Sequence, residues 1–254
     1  MLLILSPSKT LDFEKQRLTR RYSTPAFLED STELIECLRE LSPDQLVKLM
    51  GIGAELAEAT CEQYASWSTP LTPSNAKQAV LAFRGNAYVG LAAEEYSAAD
   101  FGRAQKSLRI LSALYGVLKP LDLMQPYRLE MGTRLESTRG KNLYEFWGTR
   151  ITDALNGELK KMKKPMLVNL ASNEYFKSLK PKLLAAPIVT PAFKELRNGT
   201  CKSVSAFSKK ARGSMASFII RNRLSNVGEM RSFDVDGYRF DRGLSSESEW
   251  VFTR

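Results

Sequence analysis

The residues best suited to chemistry are cations that lie close in sequence to hydroxyl and carboxylate groups. Lys9 follows two serines within residues 6–10, directly after an apolar run, and this group could hold a phosphate beyond a strand end. Arg128 and Glu130 alternate with apolar residues in residues 127–132, so both belong on one face. In a cleft with Lys9, Arg128 could contact phosphate and Glu130 could act as an acid or base. A plain turn and a surface ion pair are the alternatives.

A second candidate is the stretch 202–223, which contains six cations and no acidic residue. Unbalanced charge of this kind is less common on solvated helix faces than alternating charge. We therefore expect Lys209, Lys210 and Arg212 to bind an anion. Lys177, at the end of the polar segment 169–177, is a further candidate for phosphate contact.

A third candidate is a Gly-Ile-Gly turn between two helical patterns. Gly51 and Gly53 permit a tight turn around Ile52, as in a helix-hairpin-helix, where exposed N–H groups face a DNA phosphate. Lys48 precedes the turn and would add positive charge. Glu55 follows it and weakens phosphate attraction. An ordinary pair of antiparallel helices is the alternative.

Composition restricts the chemistry further. The chain has 37 lysines and arginines, 28 aspartates and glutamates, a net charge of +9 and no histidine. The charge favours polyanionic partners, with DNA as the expected one. The lack of histidine excludes a histidine-assisted nucleophile and histidine-ligated zinc. We expect no cofactor and no metal site, and direct iron binding is disfavoured because the cysteines are far apart in sequence.

The apolar pattern indicates the elements that must position these residues. Residues 2–5 are continuously apolar and predict a buried, central strand. Helix starts are indicated at Ser31, Ser42 and Ser97, and the last of these helices is predicted to extend to Gly116. Strand-like runs follow at residues 166–170, 187–193, 202–207, 237–240 and 249–252, with a basic helix near 208–224. The last two strands could pair as an antiparallel hairpin.

The predicted fold is therefore α+β (mixed α/β), with a helical middle segment, a basic cleft and a mixed sheet whose first strand pairs with strands from the far end of the chain. No linker is evident, so residues 1–254 are predicted to form a single domain. Three widely spaced cysteines, no membrane-length apolar run and no basic leader predict a cytoplasmic protein. We expect it to be a monomer.

Several segments, taken in order, resemble the YaaA family of peroxide stress resistance proteins. They are residues 6–12, 81–85, 111–122, 127–132, 143–148, 169–177 and 209–213. The resemblance implies a role in oxidative stress and in keeping free iron low, so that peroxide causes less DNA damage. It also implies DNA binding by a helix-hairpin-helix and a positively charged cleft.

The sequence therefore predicts a DNA-binding protein with little sequence preference. Its phosphate contacts are expected in a cleft with the turn beside it, formed by Lys9, Arg128, Lys177, Lys209, Lys210 and Arg212, together with Lys48, Gly51, Ile52 and Gly53. The alternative is an enzyme that processes a nucleotide or nucleic-acid base in this cleft, with Glu130 as the candidate catalytic residue. The absence of a histidine- or metal-based constellation favours the non-enzymatic interpretation.

Overall fold

A mixed β-sheet organises the chain in this computed structural model, which describes residues 1–197 and 200–254. The described strands are β1 (Leu2–Leu5), β2 (Thr10–Leu11), β3 (Lys77–Gln78), β4 (Phe83–Arg84), β5 (Leu108–Ser112), β6 (Gly116–Leu118), β7 (Leu123–Met124), β8 (Leu167–Leu170), β9 (Ile188–Arg197), β10 (Thr200–Lys202), β11 (Arg239–Asp241) and β12 (Glu249–Thr253). Eight of them form one sheet in the order β11-β12-β9-β8-β1-β5-β6, with β10 paired to β9. The pairs from β12 to β5 are parallel, whereas β6, β10 and β11 add antiparallel edges.

Helices surround this sheet and connect its parallel strands. They are α1 (Leu28–Arg39), α2 (Pro43–Met50), α3 (Ala54–Ser66), α4 (Ala79–Ala82), α5 (Asn86–Leu91), α6 (Ala98–Ser107), α7 (Leu143–Trp147), α8 (Arg150–Leu159), α9 (Asn173–Phe176) and α10 (Ser205–Arg221). Short 3₁₀ turns occur at Ala93–Glu95, Pro181–Leu183, Val227–Ser232 and Val235–Gly237. None of the helices in the described ranges is long and apolar enough to cross a bilayer.

The direction in which successive strands are added to the sheet reverses between β1 and β8. The connection after β1 leads to β5 on one side, and the connection after β8 leads to β9 on the other. Parallel strands whose connections diverge in this way leave a crevice beyond their carboxyl ends, which is where ligands bind in open α/β sheets. The topology therefore marks the end of β1 and β8 as the place for a site.

Close contact between α5 and α10 fixes one wall of that crevice. A Cβ atom added at Gly213 would lie 1.7 Å from the Ala87 carbonyl oxygen, and one at Gly90 would lie 2.0 Å from the Lys210 carbonyl oxygen. The two helix backbones can approach this closely only because neither glycine has a side chain. This packing holds the start of α5 against the basic part of α10.

Much of the predicted architecture is confirmed. The fold is a mixed α/β domain, β1 is buried and lies inside the sheet, and β1 pairs with β8 from the C-terminal half of the chain. Ser42 and Ser97 each accept a hydrogen bond from the backbone N–H three residues later, completing the expected capping boxes. The hairpin of the last two strands, β11 and β12, is antiparallel as proposed.

The helix predicted to extend from Ser97 to Gly116 is wrong in its second half. It ends at Ser107, and β5 follows directly. All five residues of β5 are buried between β1 and β6, so the strand lacks the polar alternation that would distinguish it from a helix. Its one charged residue, Arg109, is accommodated by an ion pair with Glu158.

Two further boundaries differ from the prediction. α1 begins at Leu28 rather than after Ser31, whose hydroxyl donates to the Phe27 carbonyl inside the helix instead of capping it. The strand expected over 202–207 ends at Lys202, and α10 begins at Ser205. The three residues by which α10 extends, 205–207, are exposed, and the buried residues at the start of α1 are the polar Asp30 and Ser31. Local capping signals therefore did not locate the first turn of either helix.

Candidate functional site

A pocket of about 650 Å³ lies beyond the carboxyl ends of β1 and β8, at the crevice marked by the topology. Its walls come from the segment after β1, the start of α5, residues 127–130, the start of α9 and one face of α10. This volume is within the range of about 300–1,000 Å³ typical of small-molecule sites. Sequence-distant segments therefore converge on one concave surface.

Two arginines line the pocket without an ion-pair partner in the described part of the chain. Arg128 has a buried Nε that no acceptor in these residues satisfies. Arg212 is half-buried and makes no hydrogen bond or ion pair there, and desolvation by burial lowers the pKa of its guanidinium. Buried donors in proteins are almost always satisfied, so both side chains are suited to an anionic ligand.

The pocket also contains a lysine that is already paired and one that is not. Lys9 Nζ lies 2.7 Å from Glu130 Oε1, and their side chains are 62 % and 30 % exposed. Lys209 is exposed and makes no ion pair within the described residues. An anion entering the pocket would compete with Glu130 for Lys9, and would find Lys209 available.

The interior of the pocket is lined by buried tyrosines. Tyr88, Tyr127 and Tyr175 are each at most 8 % exposed. The Tyr88 hydroxyl donates to the Ser6 carbonyl at 3.0 Å, and the Tyr127 hydroxyl lies 2.8 Å from the Ser112 hydroxyl. Burial raises the pKa of each tyrosine, so these hydroxyls stay neutral at physiological pH. The site thus combines an aromatic floor with a cationic rim.

The alternation predicted around Arg128 is present without a paired strand. Tyr127, Leu129 and Met131 are buried, whereas Arg128 and Glu130 face the pocket, although residues 125–130 have no strand partner. The extended backbone is sufficient to separate the two faces. Glu130 lies beside Lys9 and forms an ion pair with it.

Other predicted site residues lie elsewhere. Lys177 is exposed and does not line the pocket. Lys210 is paired with Asp236 at 2.9 Å, and Arg221 is paired with Glu95 at 2.8 Å. The stretch that has no acidic residue in sequence is therefore partly neutralised by acids from other segments.

The Gly-Ile-Gly segment forms a tight turn between α2 and α3. Gly51 adopts a left-handed conformation, with φ of 64°, and Gly53 is extended at the start of α3. Within residues 1–197 and 200–254 no side chain caps the first N–H groups of α3, and Ile52 packs partly against the core. Lys48, near the end of α2, is exposed.

Helix α3 links this turn to the pocket. The Tyr64 hydroxyl, near the far end of the helix, donates to the Arg128 backbone carbonyl. Tyr64 is ten positions after Ala54, the first residue of α3, which places the turn about 15 Å from Tyr64 along the helix axis. This distance corresponds to roughly four base-pair steps of a DNA duplex.

Sequence reasoning did not identify three polar residues of the pocket. Asn86, at the start of α5, Asn173, at the start of α9, and Glu174 all line it. The Glu174 carboxylate accepts from the Gly132 N–H at 3.0 Å, which joins two walls. The sequence signal for this wall of the pocket was one glycine in each of the two helices, Gly90 in α5 and Gly213 in α10. These glycines permit the close contact between α5 and α10 that forms the wall.

The fold and the pocket define a mixed α/β protein with a cationic site at the point where its sheet connections diverge. The family model of the peroxide stress protein YaaA matches residues 1–244, so the chain belongs to that family. Its relatives include UPF0246 proteins of Saccharophagus degradans, Aliivibrio fischeri and Colwellia psychrerythraea, which are 53 %, 52 % and 51 % identical to it, respectively. Each match spans this whole chain and 98 % or 99 % of the relative.

Proposed function

We propose that this protein acts in the peroxide stress response by binding DNA with little sequence preference. The observation that carries the proposal is the set of cations around one pocket: Arg128, Arg212 and Lys209 lack a carboxylate partner among the described residues, and Lys9 has one that an anion can replace. Contacts to phosphate position a protein on DNA without distinguishing bases.

The turn between α2 and α3 would supply a second contact. Its N–H groups, which no side chain of the described residues caps, could face a phosphate. The turn lies about 15 Å along α3 from Tyr64, whose hydroxyl contacts the Arg128 carbonyl. Lys177 would then add long-range attraction rather than direct contact, whereas the charge of Lys210 is offset by Asp236. We place this binding in the cytoplasm, with the protein as a monomer on the duplex.

Fluorescence anisotropy with a labelled duplex at two salt concentrations tests the proposal. Four phosphate contacts predict a fall in association constant of about 100-fold between roughly 50 and 200 mM salt. The variant K209Q/R212Q should bind about 30-fold more weakly at low salt, irrespective of DNA sequence. No binding at low salt, or binding indifferent to salt, would contradict the proposal.

The chain offers a matched control for that variant. Lys163 and Lys164 are exposed and lie before the amino end of β8, at the opposite end of the strand from the pocket. The variant K163Q/K164Q removes the same charge from this distant position. An equal loss of affinity in both variants would show that net charge, and not the pocket, determines binding.

Binding of this kind would limit the damage that iron and peroxide cause to DNA. A plasmid-nicking assay with ferrous iron and peroxide measures this directly. Saturating wild-type protein should lower the nicked fraction, and K209Q/R212Q should not do so at the same concentration. Equal protection by both proteins would separate protection from DNA binding.

A second candidate is an enzyme that processes a nucleotide or a nucleic-acid base. The observation that favours it is the position of Glu130 beside Lys9 inside a concave pocket. Mass spectrometry of nucleotides and oligonucleotides incubated with the protein tests it. A product formed by the wild type and lost in E130Q would support an enzyme, and unchanged substrates would leave DNA binding as the function.

A further inference from the structure

We propose that the pocket beyond β1 and β8 binds one nucleotide unit that carries a phosphate monoester, with the phosphate at Arg128 and Arg212 and the base against the tyrosine floor. The inference rests on the proposed function, because both assign phosphate to the same cations. It goes further in giving the interior of the pocket a ligand of its own.

The depth of the site is the first argument. An intact duplex presents its phosphates on a convex surface and keeps its bases stacked inside. Phosphate contacts to such a surface need only the rim, where Lys9 and Lys209 are exposed. A pocket of about 650 Å³ with a buried aromatic floor is unused in that arrangement. A single nucleotide, free or at the end of a strand, would occupy it.

Charge is the second argument. Four cations and two carboxylates line the pocket and give it a net charge of +2. The cations are Lys9, Arg128, Lys209 and Arg212, and the carboxylates are Glu130 and Glu174. A phosphate monoester carries a charge of about −1.5 to −2 at neutral pH, whereas each diester in a DNA backbone carries one negative charge. The two arginines come from separate walls, and the buried Arg128 Nε has no acceptor in the described chain. A dianion held between them would satisfy both guanidinium groups.

The third argument concerns the base, which would contact the tyrosines and asparagines that line the rest of the pocket. Tyr88, Tyr127 and Tyr175 line the pocket and are each at most 8 % exposed, so a planar base would contact only the small ring area that they leave open. Asn86 and Asn173 also line the pocket, both are exposed, and their side-chain amides make no hydrogen bond within the described residues. An amide can both donate to and accept from a base edge, so these two residues are the expected base contacts.

A base joined to a phosphate monoester is found both in a free nucleotide and at a DNA strand end with a terminal phosphate. Isothermal titration calorimetry with adenosine 5′-monophosphate, adenosine and inorganic phosphate tests the site itself. The monophosphate should bind at one site per chain and at least about tenfold more tightly than either fragment. A second arm compares a short duplex with and without 5′-phosphates, and tighter binding of the phosphorylated duplex would identify the strand end as the source.

Two variants keep the test independent of folding defects. R128Q/R212Q should lower affinity for the monophosphate at least about tenfold, and K163Q/K164Q should leave it unchanged. If R128Q/R212Q unfolds, N173D provides the second variant, because Asn173 is exposed at the start of α9, where an acidic residue is tolerated. Its added negative charge should weaken monophosphate binding severalfold.

The outcomes distinguish this inference from the proposed function. Salt-dependent duplex binding without any binding of the monophosphate would overturn the inference and leave DNA binding intact. Monophosphate binding that N173D and R128Q/R212Q do not change would place the nucleotide elsewhere and also overturn it. Monophosphate binding without duplex binding would support the pocket assignment and remove the DNA-binding function.

Discussion

The pocket and the turn between α2 and α3 are both suited to phosphate, but in different ways. The pocket offers guanidinium groups fixed on elements that pack into the core. The turn offers backbone N–H groups on the surface, with Glu55 in the first turn of the helix that follows. A net charge of +9 does not distinguish them. The difference lies in which cations have an acidic neighbour and which do not.

The two regions should respond most differently to an added methyl group. G213A places a Cβ against the Ala87 carbonyl and should separate α5 from α10, lowering the free energy of unfolding by about 3 kcal/mol. The added Cβ of G53A meets no atom of the described residues within 4 Å, so this variant should change the free energy of unfolding by less than about 0.5 kcal/mol. Urea unfolding of both variants measures this, and equal effects would show that the α5–α10 contact is not tightly packed.

A single charge removed from each region compares their contributions to DNA binding. R212Q should weaken duplex binding about tenfold, because Arg212 is partly desolvated and unpaired in the described chain. K48Q should weaken it by at most about twofold, since Lys48 is exposed to solvent. Anisotropy at one low salt concentration is sufficient. A larger effect of K48Q would make the turn the principal contact.

An ion-pair network beside the pocket gives a pH-dependent comparison. Asp12 accepts from Arg84 and Lys77, and the Arg84 contact above all lowers the pKa of Asp12 to about 2. Its contribution to stability is therefore present above about pH 4 and is lost as the pH falls toward 2.

Removing the Asp12 carboxylate in the variant D12N should lower the free energy of unfolding by about 1 kcal/mol at pH 7, because several charges form one network. The stability difference between wild type and D12N should shrink as the pH is lowered from about 4 to 2. E58Q on α3 is the control, since Glu58 is exposed and makes no ion pair in the described residues. Thermal unfolding across this pH range checks the prediction, and a constant difference would refute the pKa assignment.

The smallest effect is expected from neutralising one carboxylate in each region. E130Q releases Lys9 from its ion pair and should strengthen duplex binding about threefold. E55Q, at the start of α3, should strengthen it by less than about twofold if the turn is the weaker contact. Anisotropy at low salt measures both changes. Weaker binding by E130Q would mean that Glu130 orients Lys9 rather than competing with the ligand.

Local features of the fold could be predicted because they depend on neighbours in sequence. The apolar run of β1, the capping boxes at Ser42 and Ser97 and the alternation around Arg128 are all of this kind. β5 could not be distinguished from a helix, since its burial depends on strands from both halves of the chain. Likewise, the partners of Lys210 and Arg221 lie far away in sequence.

The sequence by itself determined the family, the mixed α/β class and which residue types were available for an anion. Tertiary structure alone decided which of those residues share a pocket. Arg128 and Arg212 are 84 positions apart in sequence, and only the order of strands in the sheet and the contact of α5 with α10 bring their segments together. Local sequence determines only the conformation of each segment. Which segments lie side by side depends on packing between residues that are far apart in sequence.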